Sequence, residues 1–562
     1  MISPRGVMLP LDNQWNNGIG IQMPAHEFKQ VVQYHDETKH HYDRYAKSLG
    51  YMDWENQPNP FRLYENTAVL PLPLLTKDPS ADYRDLYQRN HRTVLDFNLE
   101  NIAGFLELSL GLSAWKAAGQ SRWSLRMNPS SGNLHPTEGY LLIPPLDSVQ
   151  GGVYHYNALV HALEKRARVS SELWQQIASH FGTAGFFVGT SSIFCRESWK
   201  YGERALRYCN HDAGHALAAL SISANLFGWK LSYLNGLSDQ EIETILGLNK
   251  EGYRRLEKEH PDFLCFVYPH HLKSISRRLP DEIISTFASL SFEGSPNQLS
   301  PEHTDWEIIY HTANLTRKPK TRERTYDYGN PGWFEKAASR FSAAEIIRKR
   351  RSATSFDSSR PLSRAQFMSM LDKTLPRSRC CPFDVELIQP VVHLFLFVHH
   401  VEDIPAGLYF FFRNEQDIDE IKQISHPDFR WEQVESNFPL FLLKAGNFRR
   451  DAMMVSCHQE IAGYSAFSLG MITKFKNIIA EEPYRYRHLF WEAGMVGQLL
   501  YLEAEAHGVR GTGIGCFFDD AVHDMLGFED NRYQSLYHFT IGLPVEDPRL
   551  TTYPPYYHLK NH

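Results

Sequence analysis

The chain has 562 residues, of which 42% are hydrophobic and 22% are charged, and its formal net charge is −7. This is the composition of a folded globular protein of roughly two to four domains, and the lack of a basic block argues against a nucleic-acid partner. No apolar run approaches the ~18 residues of a membrane span, and the amino terminus does not resemble a signal peptide. We therefore expect a cytoplasmic protein that binds neither nucleic acid nor membrane.

Taken in chain order, the predicted elements divide the chain into four regions. Residues 1–75 form a leader, rich in aromatic residues, that we expect to pack on the core. Residues 76–290 form a first domain, in which a basic loop, a helix and strands precede a long helix, a short strand and another helix. Residues 291–335 are polar and rich in proline, and they are predicted to connect the halves. Residues 336–562 form a second domain with the same order of elements.

The two domains are predicted to be copies of each other, because the stretch after Arg207 aligns without a gap with the stretch after Arg487. Gly228 and its counterpart Gly508 are predicted to end the long helix as C-cap glycines. Asp239 and Asp519 are predicted to begin the next helix as N-caps. The other residues that match in register are Gly214 with Gly494 and Leu246-Gly247 with Leu526-Gly527. Two copies of a domain that would otherwise dimerise can pack as a pseudo-dimer within one chain.

The seven cysteines are irregularly spaced and include no CxxC pair, which predicts neither a disulfide framework nor a zinc site. His211, Asp212 and His215 are spaced like a helical metal-binding pair with an acid. The aligned positions of the second copy cannot bind a metal in this way, and no third ligand is apparent. We therefore predict no metal site.

The strongest local motif combines a proline, two hydroxyls, a glycine and an amide within a few residues. Its candidate binding residues are Arg126, Pro129, Ser130, Ser131 and Asn133. Such a loop presents many short donors and acceptors, which can hold the polar edge or the side chain of a planar cofactor. The alternative interpretation is an ordinary serine and asparagine turn.

A second motif begins the second domain with Arg350, Arg351 and Ser352. Guanidinium groups match the geometry of a phosphate, and the hydroxyl adds a further donor. Taken alone, the motif favours a solvated basic turn, because such turns are common.

Together these motifs resemble the nitroreductase superfamily. The order of the RRS loop, the PSSGN loop, a Lys-Tyr pair, an EAG-type helix and a last strand ending in IGLP is most similar to the SagB/ThcOx-type dehydrogenases, which act on azoline peptides. The resemblance implies an α+β fold of two tandem nitroreductase-like domains, each with a central, mostly antiparallel sheet flanked by helices. It also implies that FMN lies at the interface of the pseudo-dimer and takes groups from both domains.

Only one such composite site has suitable residues on both sides. The second domain carries the RRS loop and the first carries the PSSGN loop. The opposite combination pairs His91 and Thr93 with a loop that contains Asp384 and Glu386 and has no hydroxyl. Acids are unfavourable beside a phosphate or a reduced flavin, so the resemblance implies one functional flavin site.

The resemblance also assigns further residues to that site. The glycine strand of the second domain implies backbone contact with the flavin at Gly513, Gly515 and Cys516, where small residues allow close approach. Arg549, after the last strand, is a candidate for added charge near the phosphate, or an ordinary arginine of the surface.

Lys200 and Tyr201 are the catalytic candidates, because a Lys-Tyr pair at this place in azoline dehydrogenases is implicated in proton transfer. Oxidation of an azoline also needs a base, and burial can lower the pKa of a lysine. The alternative is a surface lysine beside a packed tyrosine. One residue departs from the family pattern: Thr354 stands where a third cation is expected, which weakens the expected handling of negative charge.

The resulting hypothesis is an FMN-dependent oxidoreductase that moves a hydride between an organic substrate, a small molecule or an azoline-type peptide, and FMN. The first alternative is a nitro- or quinone reductase that uses NAD(P)H as electron donor. The second is a scaffold protein with the flavin fold and no activity.

Overall fold

The computed structural model describes residues 25–87, 93–146, 149–272, 274–332 and 341–559. His91, which the sequence assigns to the less suitable flavin site, lies outside the described residues. The leader contributes helix α1 (Ala25–Glu37) and the short strands β1 (Tyr64–Glu65) and β2 (Val69–Pro71). Helix α1 contacts the second domain, where His35 Nε2 lies 3.1 Å from Gln534 Oε1.

The first domain and the connecting segment follow in chain order. The first domain contains α2 (Leu99–Glu107), β3 (Leu112–Ala118), β4 (Ser121–Arg126), β5 (Thr137–Ile143), β6 (Gly152–Asn157), β7 (Ala162–Arg168), α3 (Ser171–Phe181), β8 (Phe186–Ser192), α4 (Phe194–Tyr201), α5 (Ala205–Leu226), β9 (Trp229–Tyr233), α6 (Asp239–Leu246), β10 (His260–Pro269) and α7 (Asp281–Ala288). The connecting segment contains β11 (Ser295–Pro296) and α8 (Glu307–Leu315).

The second domain repeats this order with a few additions. Its elements are α9 (Ala343–Lys349), β12 (Phe356–Asp357), α10 (Arg364–Thr374), β13 (Val392–Val398), β14 (Gly407–Phe411), α11 (Ile418–Ile424), β15 (Glu432–Glu435), β16 (Phe438–Ala445), α12 (Arg449–Val455), α13 (Glu460–Tyr464), β17 (Phe467–Lys474), α14 (Lys476–Glu481), α15 (Arg485–Ala506), β18 (Arg510–Ile514), α16 (Asp519–Leu526), β19 (Tyr533–Pro544) and β20 (Thr551–Tyr553).

The two main sheets share a common arrangement of six strands and differ at their edges. The first has the strand order β2-β7-β6-β5-β8-β10-β9, and the second has β12-β19-β17-β13-β14-β16-β15 with β18 paired to β19. The shared strands follow the order β7-β6-β5-β8-β10-β9 in the first sheet and β16-β14-β13-β17-β19-β18 in the second. The ladders are antiparallel, as in the β8–β10 and β17–β19 pairs. The predicted fold class, two tandem α+β domains with antiparallel sheets, is confirmed.

The long helices α5 and α15 form the centre of the pseudo-dimer. A Cβ on Gly214 would lie 2.2 Å from the carbonyl oxygen of Trp491, and a Cβ on Gly494 would lie 2.3 Å from that of His211. Only glycine permits this approach of the two backbones, which accounts for the matched glycines of the repeat. The crossing also explains why both helices are buried along nearly their whole length. Among the described residues, no helix has both the length and the apolar character needed to cross a membrane.

The ends of these helices agree with the sequence in one respect. Gly228 and Gly508 follow the two long helices with φ angles of 72° and 73°, so the prediction of C-cap glycines is confirmed.

The predicted N-caps are wrong by one residue. The hydroxyl of Ser238 caps α6 by accepting from the backbone N–H of Glu241, and Asp239 is already the first helical residue. Asp239 instead accepts a hydrogen bond from Arg487 of the other domain. The matching aspartate, Asp519, accepts from Arg207 at 2.8 Å. The repeated Arg and Asp residues therefore form two pseudo-symmetric ion pairs across the domain interface.

The prediction about cysteines is also wrong, because Cys457 and Cys516 form a disulfide with their Cα atoms 5.9 Å apart. Fifty-nine positions separate them along the chain. The fold brings them together, since one follows helix α12 and the other follows strand β18. Spacing along the sequence cannot reveal such a pair. The other five cysteines are buried.

Candidate functional site

A cavity of about 450 Å³ lies between the two domains, in the size range of small-ligand sites. We call it the composite cavity. The first domain lines it with the loop of residues 128–133 and with residues of α5. The second domain lines it with residues 350–354, which follow α9, with the end of β18, and with the tail after β19.

The loop of residues 128–133 has a backbone that requires its sequence. Gly132 and Asn133 have φ angles of 58° and 60°, a left-handed conformation that glycine and asparagine tolerate best. A Cβ on Gly132 would also lie 2.6 Å from Tyr201 Oη. Ser131 is held by Asp212 of helix α5. Its N–H donates to Asp212 Oδ1 at 3.1 Å, and its hydroxyl donates to the same atom at 3.2 Å. The loop is therefore rigid before any ligand binds.

The remaining members of this motif have defined partners. Ser130 Oγ accepts from the N–H of His135 at 2.8 Å, and Asn133 Nδ2 donates to the carbonyl of Ser124 at 2.6 Å. Pro129 lines the cavity. Arg126 also lines it, but its guanidinium donates to the carbonyls of Thr137 and Pro60, so it supports the loop from behind.

At the end of β18, Gly513 and Gly515 leave two positions of the cavity wall without side chains. A Cβ on Gly513 would lie 1.9 Å from Tyr537 Oη, and a Cβ on Gly515 would lie 2.0 Å from Tyr208 Cε1. The two tyrosines already occupy the space in which side chains would lie. A planar ligand can consequently contact bare backbone on this side of the cavity.

One end of the cavity is cationic. Lys116, Arg351 and Arg510 line it together. Burial, and then the neighbouring Arg350, lowers the pKa of Arg351 to about 10. Burial, followed by Arg351 and Arg510, also lowers the pKa of Lys116. Mutual repulsion of this kind is relieved by an anionic ligand. Acids balance it only in part, since Glu546 pairs with Arg510 at 2.6 Å and is 68% exposed.

The first arginine of the RRS motif has a different role from the second. Arg350 is buried, and its guanidinium donates to the carbonyls of Met127 and Arg126 across the domain interface. Ser352 Oγ lies 2.9 Å from Tyr501 Oη, which also accepts from the N–H of Gly513 at 2.9 Å. Arg350 therefore holds the two loops together, whereas Arg351 faces the cationic end.

The Lys-Tyr pair lies at the edge of the cavity. Tyr201 lines it, and its ring centroid is 4.3 Å from that of Tyr208. Burial raises the pKa of Tyr201 well above its usual value. Lys200 is exposed and does not line the cavity, and its Nζ is 5.3 Å from the Tyr201 ring.

The structure also places the two remaining candidates, Arg549 and Cys516. Arg549 has an 85% exposed side chain, pairs with Asp547 at 2.7 Å and lies outside the cavity lining. Cys516 lines the cavity, as expected, but its thiol is bonded to Cys457.

Sequence reasoning missed several residues of the cavity. Asp212 lines it, and burial raises the pKa of this carboxyl to about 7. His215 also lines it, with its Nε2 3.2 Å from Tyr537 Oη. Both belong to the motif that resembles a metal site, so their spacing gave a signal that pointed to the wrong chemistry. Lys116 gave none, because a lone lysine in a strand is usually solvated.

In the pseudo-equivalent region, the connecting segment packs against the second copy of the site. Asn235, which aligns with Gly515, exchanges two hydrogen bonds with the backbone of Arg324, at 2.8 and 3.1 Å. Glu386 accepts from the N–H of Tyr326 at 3.1 Å and pairs with Arg277 at 2.8 Å. We call this region, where residues 318–328 lie against the second copy of the site, the plugged position.

The chain is similar to known proteins both in sequence and in structure. Residues 347–543 match the Nitroreductase family model. A proposed nitroreductase from Anabaena variabilis ATCC 29413 matches in structure with a TM-score of 0.64 at 20% identity, over 92% of this chain and 99% of that chain. This match spans both domains, so the nitroreductase fold extends over the whole pseudo-dimer and is not confined to the second domain.

Two other solved structures match over less than half of this chain. A proposed nitroreductase from Ralstonia eutropha JMP134 has 16% identity and a TM-score of 0.27, over 38% of this chain and 87% of its own. The E. coli microcin synthetase McbBCD complex with truncated pro-MccB17 bound has 18% identity and a TM-score of 0.28, over 41% and 80%. The comparison with curated proteins gave no match.

Proposed function

We propose that this protein is an FMN-dependent oxidoreductase that transfers a hydride between an organic substrate and FMN in the composite cavity. One observation carries the proposal: the cavity is bounded by a hydroxyl-rich loop from one domain and by an arginine loop and a bare glycine strand from the other. These are complementary halves of one site. At the plugged position Asn235 and Glu386 instead bind the connecting segment, which supports one flavin per chain.

The residues present fit FMN at three points. The cationic end, formed by Lys116, Arg351 and Arg510, suits the phosphate. The backbone at Gly513 and Gly515 leaves room for a flat ring system, because tyrosines fill the space that side chains would occupy. On residues that line the cavity, Asn128 Oδ1, His135 Nδ1 and Arg126 Nε have no hydrogen-bond partner among the described residues.

Bound FMN would supply the two-electron redox chemistry, and the protein would supply binding, orientation and proton transfer. Asp212 is the group best suited to exchange a proton near neutral pH, because burial raises its pKa to about 7. Tyr201 has its pKa raised by burial and therefore stays protonated as a hydrogen-bond donor at the edge of the cavity. Lys200, whose Nζ lies 5.3 Å from the Tyr201 ring, is an exposed cation beside it.

We further propose an azoline-type heterocycle or a peptide that carries one as the substrate class. This rests on the resemblance of the Lys200-Tyr201 pair to that of azoline dehydrogenases. The pair contacts the loop at Gly132, where a Cβ would lie 3.2 Å from Lys200 Cδ. In the alternative reaction, NAD(P)H reduces FMN in the same cavity, and the reduced FMN passes the electrons on to a nitroaromatic or a quinone.

The test begins with the absorbance spectrum of the purified protein and the flavin released per chain. We expect about one FMN per chain, bound through a single site. Ser131→Ala should weaken FMN binding, because the hydroxyl fixes the loop through Asp212. Ser221→Ala is the matched control, since it removes a hydroxyl that donates at 2.7 Å to Asp384 in the plugged position. It should leave FMN binding unchanged.

Three outcomes would contradict parts of the proposal. Two FMN per chain would show that the plugged position also binds. Failure to bind FMN, even after reconstitution, would favour a scaffold. Rapid anaerobic bleaching of bound FMN by NADPH, without bleaching by azoline peptides, would favour the NAD(P)H-dependent reductase.

A further inference from the structure

The disulfide lies at the wall of the composite cavity. Cys516 directly follows the glycine strand and lines the cavity beside Gly515. Cys457 follows helix α12 and does not line it. Both residues are partly exposed, whereas the other five cysteines are buried. One residue of the pair therefore lines the cavity, and the other does not.

The local backbone is already held without this bond. The carbonyl of Cys516 accepts from Gln459 Nε2 at 3.1 Å, and the carbonyl of Gly515 accepts from Arg204 Nη2 at 3.2 Å. Arg204 is itself fixed by Asp519 at 3.1 Å. Two hydrogen bonds therefore position the end of the strand in addition to the disulfide. The disulfide joins this end of the strand at the edge of the cavity.

We propose that Cys457 and Cys516 form a redox-active disulfide that accepts two electrons from the reduced flavin of the same cavity. The inference rests on the proposed function, because it requires FMN to bind there. Cys516, which lines the cavity, would be the residue of the pair that receives the electrons. Cys457 is the sulfur available to an external disulfide or thiol. The chain would thus carry two redox groups in series.

The step balances with the reduced flavin as the reductant. Two electrons and one proton leave the reduced, anionic isoalloxazine, which becomes oxidised. The S–S bond breaks, so that one sulfur becomes a thiol and the other a thiolate, which takes a second proton from solvent. An external disulfide restores the pair by thiol–disulfide exchange, in which it is reduced to two thiols. No further reactant is needed.

The decisive measurement is an anaerobic dithionite titration of the FMN-loaded protein, followed in the flavin absorbance. The wild type should take up about four electrons per FMN, because the disulfide is a two-electron couple in addition to the flavin. Cys457→Ser should take up about two. Cys265→Ala, which removes a buried thiol of strand β10 far from the cavity, is the matched control and should behave as the wild type.

A second readout does not depend on any variant. After partial reduction, free thiols are alkylated and the peptides that contain Cys457 and Cys516 are analysed by mass spectrometry. Both should be labelled in FMN-loaded protein and remain unlabelled in protein stripped of FMN and treated alike. Equal labelling in the stripped protein, or an uptake of two electrons by the FMN-loaded wild type, would overturn the inference and leave the proposed function intact. A protein that binds no FMN would overturn both.

Discussion

The composite cavity and the plugged position are built on the same framework and differ in almost every residue that could touch a ligand. Both follow a 22-residue helix, a left-handed glycine and a short strand. At the composite cavity the strand ends in glycines that face tyrosines of the core. At the plugged position Asn235 takes the place of Gly515 and binds the backbone of the connecting segment. The framework depends on contacts at the pseudo-axis, which both copies need, whereas each cavity can change without loss of the interface.

The first prediction separates the interface from the cavity, and it concerns the largest effect. Arg487→Met removes the ion-pair partner of the buried Asp239, whereas after Arg207→Met the buried Asp519 keeps its pair with Arg204. Removal of one partner of a buried ion pair costs about 3–5 kcal/mol. We expect Arg487→Met to lower the free energy of unfolding by about this amount in urea titrations, and Arg207→Met to lower it by less.

Only the Arg207 variant should also weaken FMN binding, because Asp519 closely follows the strand that lines the composite cavity. Fluorescence titration with FMN measures this difference. Equal loss of FMN affinity in the two variants would contradict the assignment of one functional side.

The second prediction compares two buried acids, one in each region. Burial raises the pKa of Asp212 to about 7 and that of Asp384 to about 6. The unfolded chain releases these protons near pH 4, so the folded state is penalised as the pH rises from about 4 to the folded pKa. Asp212→Asn should remove a penalty of about 2–4 kcal/mol that is complete above pH 7. For Asp384→Asn the penalty should be complete above pH 6.

Urea titrations from pH 4 to pH 8 check this prediction. The difference in unfolding free energy between wild type and variant should change with pH over these windows and remain constant above them. If the wild type instead became more stable relative to the variant as the pH rises, the raised pKa values would be contradicted.

The duplication and the fold could be predicted from the sequence because the determinants are local and repeated. Gly228 and Gly508 each end a helix, and Gly214 and Gly494 each allow one helix to approach the other. Such residues have one physical role wherever the element occurs. The PSSGN loop was recognisable for the same reason, since Gly132 supplies the left-handed φ angle that the turn requires.

The rest of the site could not be predicted because it depends on which surfaces meet. Lys116 reaches the cationic end only because β3 lies beside the tail of the second domain, where its Nζ donates to Thr552 at 2.7 Å. The disulfide joins two segments that only the folded sheet brings together. Arg549 lies outside the cavity lining and pairs with Asp547, two residues earlier, in the exposed tail, as the surface alternative has it.

The third prediction tests the bare wall of the composite cavity. Gly515→Ala places a Cβ against the ring of Tyr208, which must move toward the ligand. Overpacking of this kind costs about 1–3 kcal/mol, so FMN affinity should fall by roughly 5- to 150-fold. Asn235→Ala, at the aligned residue, should leave FMN affinity unchanged, because its partners belong to the connecting segment. Titration of stripped protein with FMN measures both, and an equal effect of the two substitutions would contradict the comparison.

The last prediction concerns the connecting segment, where the expected effect is smallest. Arg324 is half-exposed and makes a bidentate contact with Glu482, at 2.7 and 2.6 Å. Arg324→Ala should lower the free energy of unfolding by no more than about 1 kcal/mol, as for other exposed pairs. Chymotrypsin should cleave the variant faster at Tyr326 and Tyr328, since the pair holds this segment in place. Arg364→Ala, which breaks a similarly exposed pair with Glu435, should not change cleavage there.

The flavin content of the Arg324 variant decides what closes the plugged position. We expect it to remain at one FMN per chain, because Asp384 and Glu386 stay in place and a released segment removes neither acid. A second bound FMN would mean that the segment alone closes the site, and that the two regions differ in occupancy and not in binding chemistry.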